Sequence, residues 1–352
     1  MNLARMLRLP LVALLALYAA TGVASTGAGL PTRTLAEALV PVMGFLVFAV
    51  LVNDLSDEEI DRVNLAGDRG RLLVCGAASR RELRLAAAAA ATVAVAGSLV
   101  LPRPVTLVTV CGLVLAAAYS CRPVRLAERG AVASLVLPAG YVSVPFLVGV
   151  CTTGASFPAA DVPLLVGLYI GFIGRIVLKD FRDVRGDLLY GKRTFLIRHG
   201  RRATCWCSAC CWAAGAVVLS TTRAFAAPDV PLVALAVALV LVLGAEGSHR
   251  RDELLISAIA VLGRGVVVSL LAQLCMTAAH WSSANRTGAL SVLAAVMMGQ
   301  AATMARRPPR TGLRAPATWA APADALPGDD RTGTRAVAPL AAAPAGRSGA
   351  EG

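Results

Sequence analysis

The sequence has few charged residues and almost no lysine. Charged residues make up 16% of its 352 positions and hydrophobic residues 57%, and the mean hydropathy is +0.69. Such a chain is too apolar for an ordinary soluble domain and has apolar runs long enough to cross a bilayer. Only Lys179 and Lys192 are lysines among 34 basic residues. A GC-rich genome explains the scarcity of lysine, but not why both lysines lie in one acidic region.

The sequence also lacks the glycine-rich loops that bind nucleotides. Neither a Walker A motif nor a dinucleotide fingerprint occurs, which argues against nucleotide hydrolysis. The net charge of +13 does not indicate nucleic-acid binding, because the arginines lie in short segments between apolar runs. Nine cysteines include the run CWCSACC at 205–211. This run begins an apolar segment and has no second ligand pair, so helix packing explains it better than metal binding.

The apolar runs predict an all-α, polytopic membrane bundle of nine or ten transmembrane helices. The tenth span decides on which side of the membrane the C-terminus lies. After it, residues 305–352 are rich in Pro, Ala, Gly, Arg and Thr without apolar periodicity, so we expect a disordered tail behind a membrane domain at 1–304. The candidate spans are 9–28, 35–52, 83–101, 104–120, 131–150, 162–179, 203–222, 229–246, 255–279 and 287–304.

Arginine placement predicts the orientation of the bundle. Alternate connections are rich in arginine, whereas the opposite connections carry little beyond Arg33, Arg103, Arg223 and Arg286. By the positive-inside rule, the N-terminus and both acidic loops described below face the cytoplasm. The first 25 residues also resemble a signal peptide. We expect them to be retained, because their removal would leave the second span without its partner.

Two aspartate sets share one spacing, three residues and then four. The first lies in NDLSDEEID and the second in DFRDVRGD. On a helix this spacing places three carboxylates along one face. Each set alone is explained by a solvated helix end, but two matching sets on one side of the membrane favour a cation site. The sets are Asp54, Asp57 and Asp61, and Asp180, Asp183 and Asp187.

The donor types in the two sets indicate the metal. Oxygen ligands without nearby histidine or cysteine favour magnesium over a transition metal. Magnesium keeps several waters and often shares one or two carboxylates with a substrate phosphate, so a diphosphate bridging the sets is the natural ligand.

These motifs give the chain a resemblance to the UbiA-type intramembrane prenyltransferase superfamily. Its two motifs, NDxxDxxxD and DxxDxxxD, are matched from Asn53 and from Asp180. The stretch after the first motif is similar too, although Arg71-Leu72 stands where the family commonly has Arg-Pro. Further matches are Tyr119, Ser120, Pro123, Arg125, Leu126, Arg129 and Gly130 after the fourth span, and Gly186, Gly191, Lys192, Thr194 and Gly200 around the second motif. The second motif looks more like the branch of archaeal lipid, chlorophyll and tocopherol-type enzymes than the hydroxybenzoate branch.

The resemblance implies a central cavity in which Mg²⁺ ions hold a prenyl diphosphate between the motifs. The allylic C–O bond ionises there, and a lipophilic acceptor, aromatic or other, attacks the cation. Membrane lipid is the only other partner expected, with no obligate protein partner. We expect Asn53, Asp57, Asp180 and Asp183 to bind metal, with Asp54, Asp61 and Asp187 as further ligands or as groups that orient water. The expected substrate-binding residues are Asn53, Arg69, Arg71, Tyr119, Arg125, Lys179 and Lys192.

Other interpretations stay open at this point. Related proteins act as terpene cyclases, in which a double bond of the substrate captures the cation, and the motifs do not separate the two outcomes. A transporter with an acidic gate would need neither diphosphate nor paired metal motifs. For each arginine in the loops, membrane topology is an equally good explanation. Arg175 and Arg264 lie inside apolar spans, where a charge indicates a function unless the side chain reaches the interface.

Overall fold

A computed structural model describes residues 8–64, 71–155, 159–189, 191, 194–245 and 249–278, together with 282, 287 and 291. Within these residues the chain forms helices and no strands, which confirms the predicted all-α class. The α-helices are α1 Leu9–Val23, α2 Thr32–Ser56, α3 Glu58–Asn64, α4 Arg80–Leu99, α5 Arg103–Ser120, α6 Ala131–Pro138, α7 Val144–Thr152, α8 Val162–Ile176, α9 Asp180–Leu189, α10 Phe195–Leu219, α11 Asp229–Ala245 and α12 His249–Thr277.

Eight segments in the described residues are long and apolar enough to cross a membrane, and α11 is a shorter apolar helix of 17 residues. Together they match the first nine predicted spans. The seventh predicted span, 203–222, lies in the part of α10 that follows Gly200, where non-helical torsions of φ 77° and ψ 175° interrupt the helix. The short segment before this kink begins at Phe195, where the hydroxyl of Thr194 caps it by accepting from the Ile197 N–H. The predicted tenth span and the predicted tail lie outside the described residues, apart from isolated positions.

Several spans are bent or extended rather than straight. A π-helical turn, Ala139–Ser143, joins α6 to α7, so these helices form one bent span after Pro138. A 3₁₀ turn, Val177–Lys179, joins α8 to α9. The sixth span therefore runs directly into the second aspartate set, whose orientation depends on this turn.

Glycines let particular helices approach closely. A Cβ on Gly22 of α1 would lie 2.1 Å from the Phe146 carbonyl oxygen of α7, and one on Gly149 would lie 2.1 Å from the Ala19 oxygen. A Cβ on Gly167 of α8 would meet Leu219 of α10 at 2.7 Å. Glycine at these positions leaves room for a backbone carbonyl or a side chain of the neighbouring helix, so the helices pack closely.

The outer surface of the bundle is apolar. Large hydrophobic side chains are exposed there, among them Leu99, Leu107, Val114 and Val217. A water-soluble protein would have mostly polar residues at such positions. A broad apolar exterior fits contact with lipid chains. The charged side chains that matter for the site gather instead at one end of the bundle.

Candidate functional site

The two aspartate sets lie together at one end of the bundle. Helix α3, which carries Asp61, packs against α9, which carries the second set. Asp183 is close enough to interact electrostatically with both Asp61 and Arg71. Two motifs about 120 positions apart in the sequence therefore form one acidic site, as the sequence predicts.

The first set does not lie on one continuous helix, contrary to the sequence prediction. Helix α2 ends at Ser56, and Asp57 has non-helical torsions of φ −105° and ψ 13°. The Asp57 N–H still donates to the Asn53 carbonyl at 2.9 Å, and its own carbonyl accepts from the Asp61 N–H at 2.8 Å. The chain therefore bends at Asp57, and Asp61 belongs to the short helix α3 rather than to the membrane span.

Asp54 is held by two arginines. Its side chain is buried and accepts from Arg8 Nη2, at 2.7 Å from Oδ2, and from Arg71 Nη1. Arg71 also pairs with Asp61, with 2.6 Å between Nη1 and Oδ2. One guanidinium thus links the last turn of α2 to α3 and neutralises part of the charge of both carboxylates.

Asp57 has a different set of partners. The Asn53 amide donates to Asp57 Oδ2 at 2.9 Å, and Arg125 Nη2 donates to Oδ1 at 3.1 Å. The same nitrogen donates to the Ser56 carbonyl at 3.2 Å, which is one of the carbonyls left free at the end of α2. Arg125 therefore supports the bend and orients the Asp57 carboxylate.

Burial and crowding of carboxylates change the titration of Asp61. Burial raises the pKa of Asp61 to about 7, with a further rise from Asp54, Asp57 and Asp183 that Arg71 only partly offsets. Burial opposes the charge on Arg71, but the surrounding carboxylates outweigh it and raise the pKa of this guanidinium. The site thus has an excess of negative charge that a bound cation would relieve.

The second set lies on one helix, as predicted. Asp180, Asp183 and Asp187 all belong to α9, and Asp180 and Asp187 are buried. Lys179 precedes this helix and lies within electrostatic range of Asp180, Asp183 and the buried Tyr119. A cation and a phenol therefore accompany the carboxylates of this set.

The donor set fits a magnesium ion in its chemistry. Asn53 and the six aspartates offer oxygen donors, which hard cations prefer. Among the described residues, however, no three acidic, histidine or cysteine side chains converge closely enough to enclose a metal ion. The carboxylates of Asp54, Asp57 and Asp61 are instead paired with arginines.

Two residues that were not in the predicted set lie at this site, and two predicted residues lie outside the described part of the chain. Arg8 is a partner of Asp54 from 46 positions away, and only its place before the first span hinted at it. Tyr141 lies near Lys179 and stacks on Phe172, and no sequence pattern marked it. The predicted residues Arg69 and Lys192 lie outside the described residues.

The cysteines take no part in this site. All nine are free thiols, and Cys205 of the CWCSACC run is buried in α10. No metal site forms there among the residues that the structure covers. This is consistent with a packing role for the run.

Comparison with known proteins gives one family match and several relatives. The model of the UbiA prenyltransferase family matches residues 9–259. The bacteriochlorophyll synthase 34 kDa chain of Chloroflexus aurantiacus is 28% identical over 151 residues, covering 43% of this chain and 47% of the relative. The chloroplastic chlorophyll synthase of Arabidopsis thaliana is 32% identical over 96 residues, covering 27% and 24%. The aligned part therefore spans about half or less of these relatives.

Solved structures share the fold. A UbiA homologue from Archaeoglobus fulgidus, bound to DMAPP and Mg²⁺, superposes with a TM-score of 0.59 at 16% identity, covering 79% of this chain and 100% of that chain. The apo structure of a UbiA homologue from Aeropyrum pernix K1 has a TM-score of 0.59 at 17% identity, covering 77% and 98%. At such low identity the likeness shows the architecture.

Proposed function

Because this chain belongs to the UbiA prenyltransferase family, we propose that it catalyses the magnesium-dependent transfer of a prenyl group from a prenyl diphosphate to an aromatic or other lipophilic acceptor within the membrane. The observation that supports this most is the meeting of the two aspartate sets at one end of a membrane bundle, with Asp183 near Asp61 and Arg71. The Archaeoglobus homologue of the same fold was solved with DMAPP and Mg²⁺.

Four residues would hold magnesium in this proposal. They are Asn53 and Asp57 from the first motif and Asp180 and Asp183 from the second. Bound there, magnesium neutralises the negative charge that develops on the departing diphosphate. Asp54, Asp61 and Asp187 would orient the metal-bound waters through hydrogen bonds.

The basic residues around the acidic site bind the diphosphate in our proposal. Arg71 and Arg125 now contact carboxylates, and a forked guanidinium binds phosphate oxygens with similar geometry. Lys179 presents a point charge next to Asp180. These side chains fix the leaving group at the end of the bundle, so that the isoprenoid chain lies among the helices. The apolar interior then keeps water away from the allylic cation.

We place the aspartate end on the cytoplasmic side. Arg8, Arg62, Arg71 and Arg125 lie at this end. The positive-inside rule assigns an arginine-rich end to the cytoplasm. Modification of single engineered cysteines by an impermeant reagent in intact cells tests this: a cysteine at position 80 should be protected, and one at position 103 should react. The native cysteines are first replaced by alanine or serine.

Acceptor transfer is favoured over cyclisation because two relatives are named as synthases of chlorophyll and bacteriochlorophyll. The test incubates membranes containing the full chain with Mg²⁺ and a labelled prenyl diphosphate, with and without a panel of lipophilic acceptors. We expect release of diphosphate and a prenylated product only when an acceptor is present. A cyclic hydrocarbon formed without acceptor would replace the proposal by the cyclase alternative. No release under any condition, with folded protein, would refute both.

A further inference from the structure

A second ion-pair cluster lies beside the helix that carries the second aspartate set. Arg201, which follows the kink at Gly200 in α10, donates to both carboxylate oxygens of Asp252 in the first turn of α12. The distances are 2.7 Å between Nη1 and Oδ2 and 2.5 Å between Nη2 and Oδ1. Its Nε donates at 2.7 Å to the carbonyl of Leu243, in the last turn of α11. One guanidinium therefore joins three helices.

Membrane topology does not explain this pair. The positive-inside rule accounts for arginines at this end of the bundle, and the neighbouring Arg198 and Arg202 are exposed. The side chains of Arg201 and Asp252 are instead only 13% and 12% exposed. A bidentate pair at such burial has a specific geometry, because removing one partner leaves the other charge poorly solvated. The pair therefore fixes the plane of the Arg201 guanidinium.

Phe181 connects the ion pair to the second aspartate set. The guanidinium carbon of Arg201 lies 5.2 Å from the centre of the Phe181 ring, and Phe181 is buried. On α9, Phe181 directly follows Asp180 and precedes Asp183 by two positions. A guanidinium and an aromatic ring attract each other when the cation lies over the ring face. A guanidinium of fixed plane therefore limits how α9 can rotate.

A hydrogen bond gives α9 a second attachment next to the first. Arg182 Nη2 donates to Ser257 Oγ of α12 at 3.0 Å. Ser257 lies five positions after Asp252 on the same helix. Adjacent side chains on a helix point in different directions around its axis. Attachments at both Phe181 and Arg182 therefore restrict the rotation of α9 more than either would alone.

We propose that Arg201 is a positioning residue for the second aspartate set. Fixed by Asp252 and by the end of α11, its guanidinium holds the Phe181 ring and with it the rotation of α9. This rotation determines where the carboxylates of Asp180 and Asp183 point. The inference rests on the proposed function for what these carboxylates bind, whereas the link from Arg201 to α9 is a property of the metal-free chain.

Hydrogen exchange of the metal-free chain tests this link without turnover. The purified full chain in lipid nanodiscs is exchanged into deuterated buffer without Mg²⁺ or prenyl diphosphate, and peptides that cover α3 and α9 are followed by mass spectrometry. In Arg201→Met we expect the amides of α9 to exchange at least about tenfold faster, and those of α3 to be unchanged. Arg201→Lys keeps the charge but not the fork and should restore part of the protection. Phe181→Leu leaves the ion pair in place and should have the same effect on α9 as Arg201→Met, and it serves as the test if Arg201→Met does not fold.

The Mg²⁺ dependence of diphosphate release then tests whether the rotation of α9 matters for the site. Arg201→Met and Phe181→Leu should each raise the Mg²⁺ concentration for half-maximal release about 10–100-fold, because a displaced carboxylate binds the metal less well. A purely structural role would lower the amount of active protein and leave this concentration unchanged. The double variant should lose little more than either single variant, because both act through one contact.

Two matched controls separate this contact from general effects. Arg202→Met removes the exposed neighbour of Arg201 on α10. Phe225→Leu removes a half-buried ring between α10 and α11, at the opposite end of the bundle. Neither control should change the exchange of α9 or the Mg²⁺ dependence. Thermal unfolding in detergent verifies that each variant is folded.

Three results would overturn the proposal. The first is unchanged exchange of α9 in the folded variants of Arg201 and Phe181, and the second is exchange that rises equally in α3 and α9. The third is a Mg²⁺ dependence like that of the wild type in a variant whose α9 exchanges faster. Failure of the proposed function has a different signature. A wild-type chain that releases no diphosphate would refute that function, while faster exchange of α9 in Arg201→Met would still support the link.

Discussion

The two aspartate sets have the same spacing but different structures. The first is divided by a bend at Asp57 and held by arginines from three other segments, Arg8, Arg71 and Arg125. The second lies on the single helix α9, directly after a membrane span and beside Lys179. Equal spacing therefore predicts which carboxylates meet but not which residues bind them. The first set is divided between two helices and bound by distant arginines, whereas one helix carries all three carboxylates of the second set.

The largest expected effect comes from removing one carboxylate of each set. Asp57→Ala or Asp183→Ala should lower diphosphate release from a labelled prenyl diphosphate by at least about 10²–10³-fold, because in the proposed site each variant would lose a metal ligand that stabilises the developing charge. Thermal unfolding should show that both proteins stay folded. Activity near that of the wild type in either variant would refute the shared metal site.

Arg71 tests the dependence of the first set on distant cations. Arg71→Met leaves Asp54 and Asp61 without their common partner, and unfolding of the metal-free protein should become easier by about 3–5 kcal/mol. Added Mg²⁺ should restore much of this stability. The matched control is Arg62→Met. The Arg62 side chain is 61% exposed, so its ion pair with Glu58 should contribute less than about 1 kcal/mol to the free energy of unfolding. Equal losses in the two variants would contradict the special role of Arg71.

Arg125 tests whether the bend matters for binding. Arg125→Ala frees the Ser56 carbonyl and one oxygen of Asp57, and we expect the affinity for Mg²⁺ with a prenyl diphosphate to fall about 10–100-fold. Arg129→Ala removes a nearby exposed arginine whose side chain donates, among the described residues, to the Val124 carbonyl, and it should have little effect. The apparent affinity is measured from the Mg²⁺ dependence of turnover. An equal loss of Mg²⁺ affinity in Arg125→Ala and Arg129→Ala would contradict a specific role of Arg125 at the bend.

The smallest effect concerns pH. The pKa of Asp61 is raised to about 7 in the folded metal-free protein, above its ordinary value in an unfolded chain. The folded state therefore holds the proton more tightly, so the contribution of Asp61 to stability should be greatest below about pH 4 and decline as pH rises to about 7. Asp61→Asn should flatten this dependence in melting curves recorded without Mg²⁺. A wild-type melting temperature that rises over this range would contradict the assignment.

Much of the fold follows from the sequence because each membrane span must satisfy its own backbone hydrogen bonds. An apolar run of sufficient length is therefore a helix, and nine of the predicted spans match the described helices. The apolar pattern does not predict the short helical segment before the seventh span, which Thr194 caps and which ends at the non-helical Gly200. The sequence predicts that the two aspartate sets lie on the same side of the membrane, and this is why they could be expected to meet.

The remaining features of the site depend on contacts that a linear pattern does not contain. No proline or glycine marks the bend at Asp57, which is fixed by Arg125 from a distant loop. Arg8 pairs with Asp54 across 46 positions. Tyr141 reaches the site through the π-helical turn in the fifth span. Tertiary packing determines the bend, the Arg8–Asp54 pair and the position of Tyr141, so helix periodicity alone does not predict them.

A double-mutant cycle on binding tests whether both aspartate sets hold one metal–diphosphate group. The purified chain in nanodiscs is titrated with a prenyl thiolodiphosphate in the presence of Mg²⁺, for the wild type, Asp57→Ala, Asp183→Ala and the double variant. If both sets hold one metal–diphosphate group, each single variant should lose most of the binding and the double variant should lose little more. Losses that add independently, or binding that is unchanged without Mg²⁺, would contradict the account.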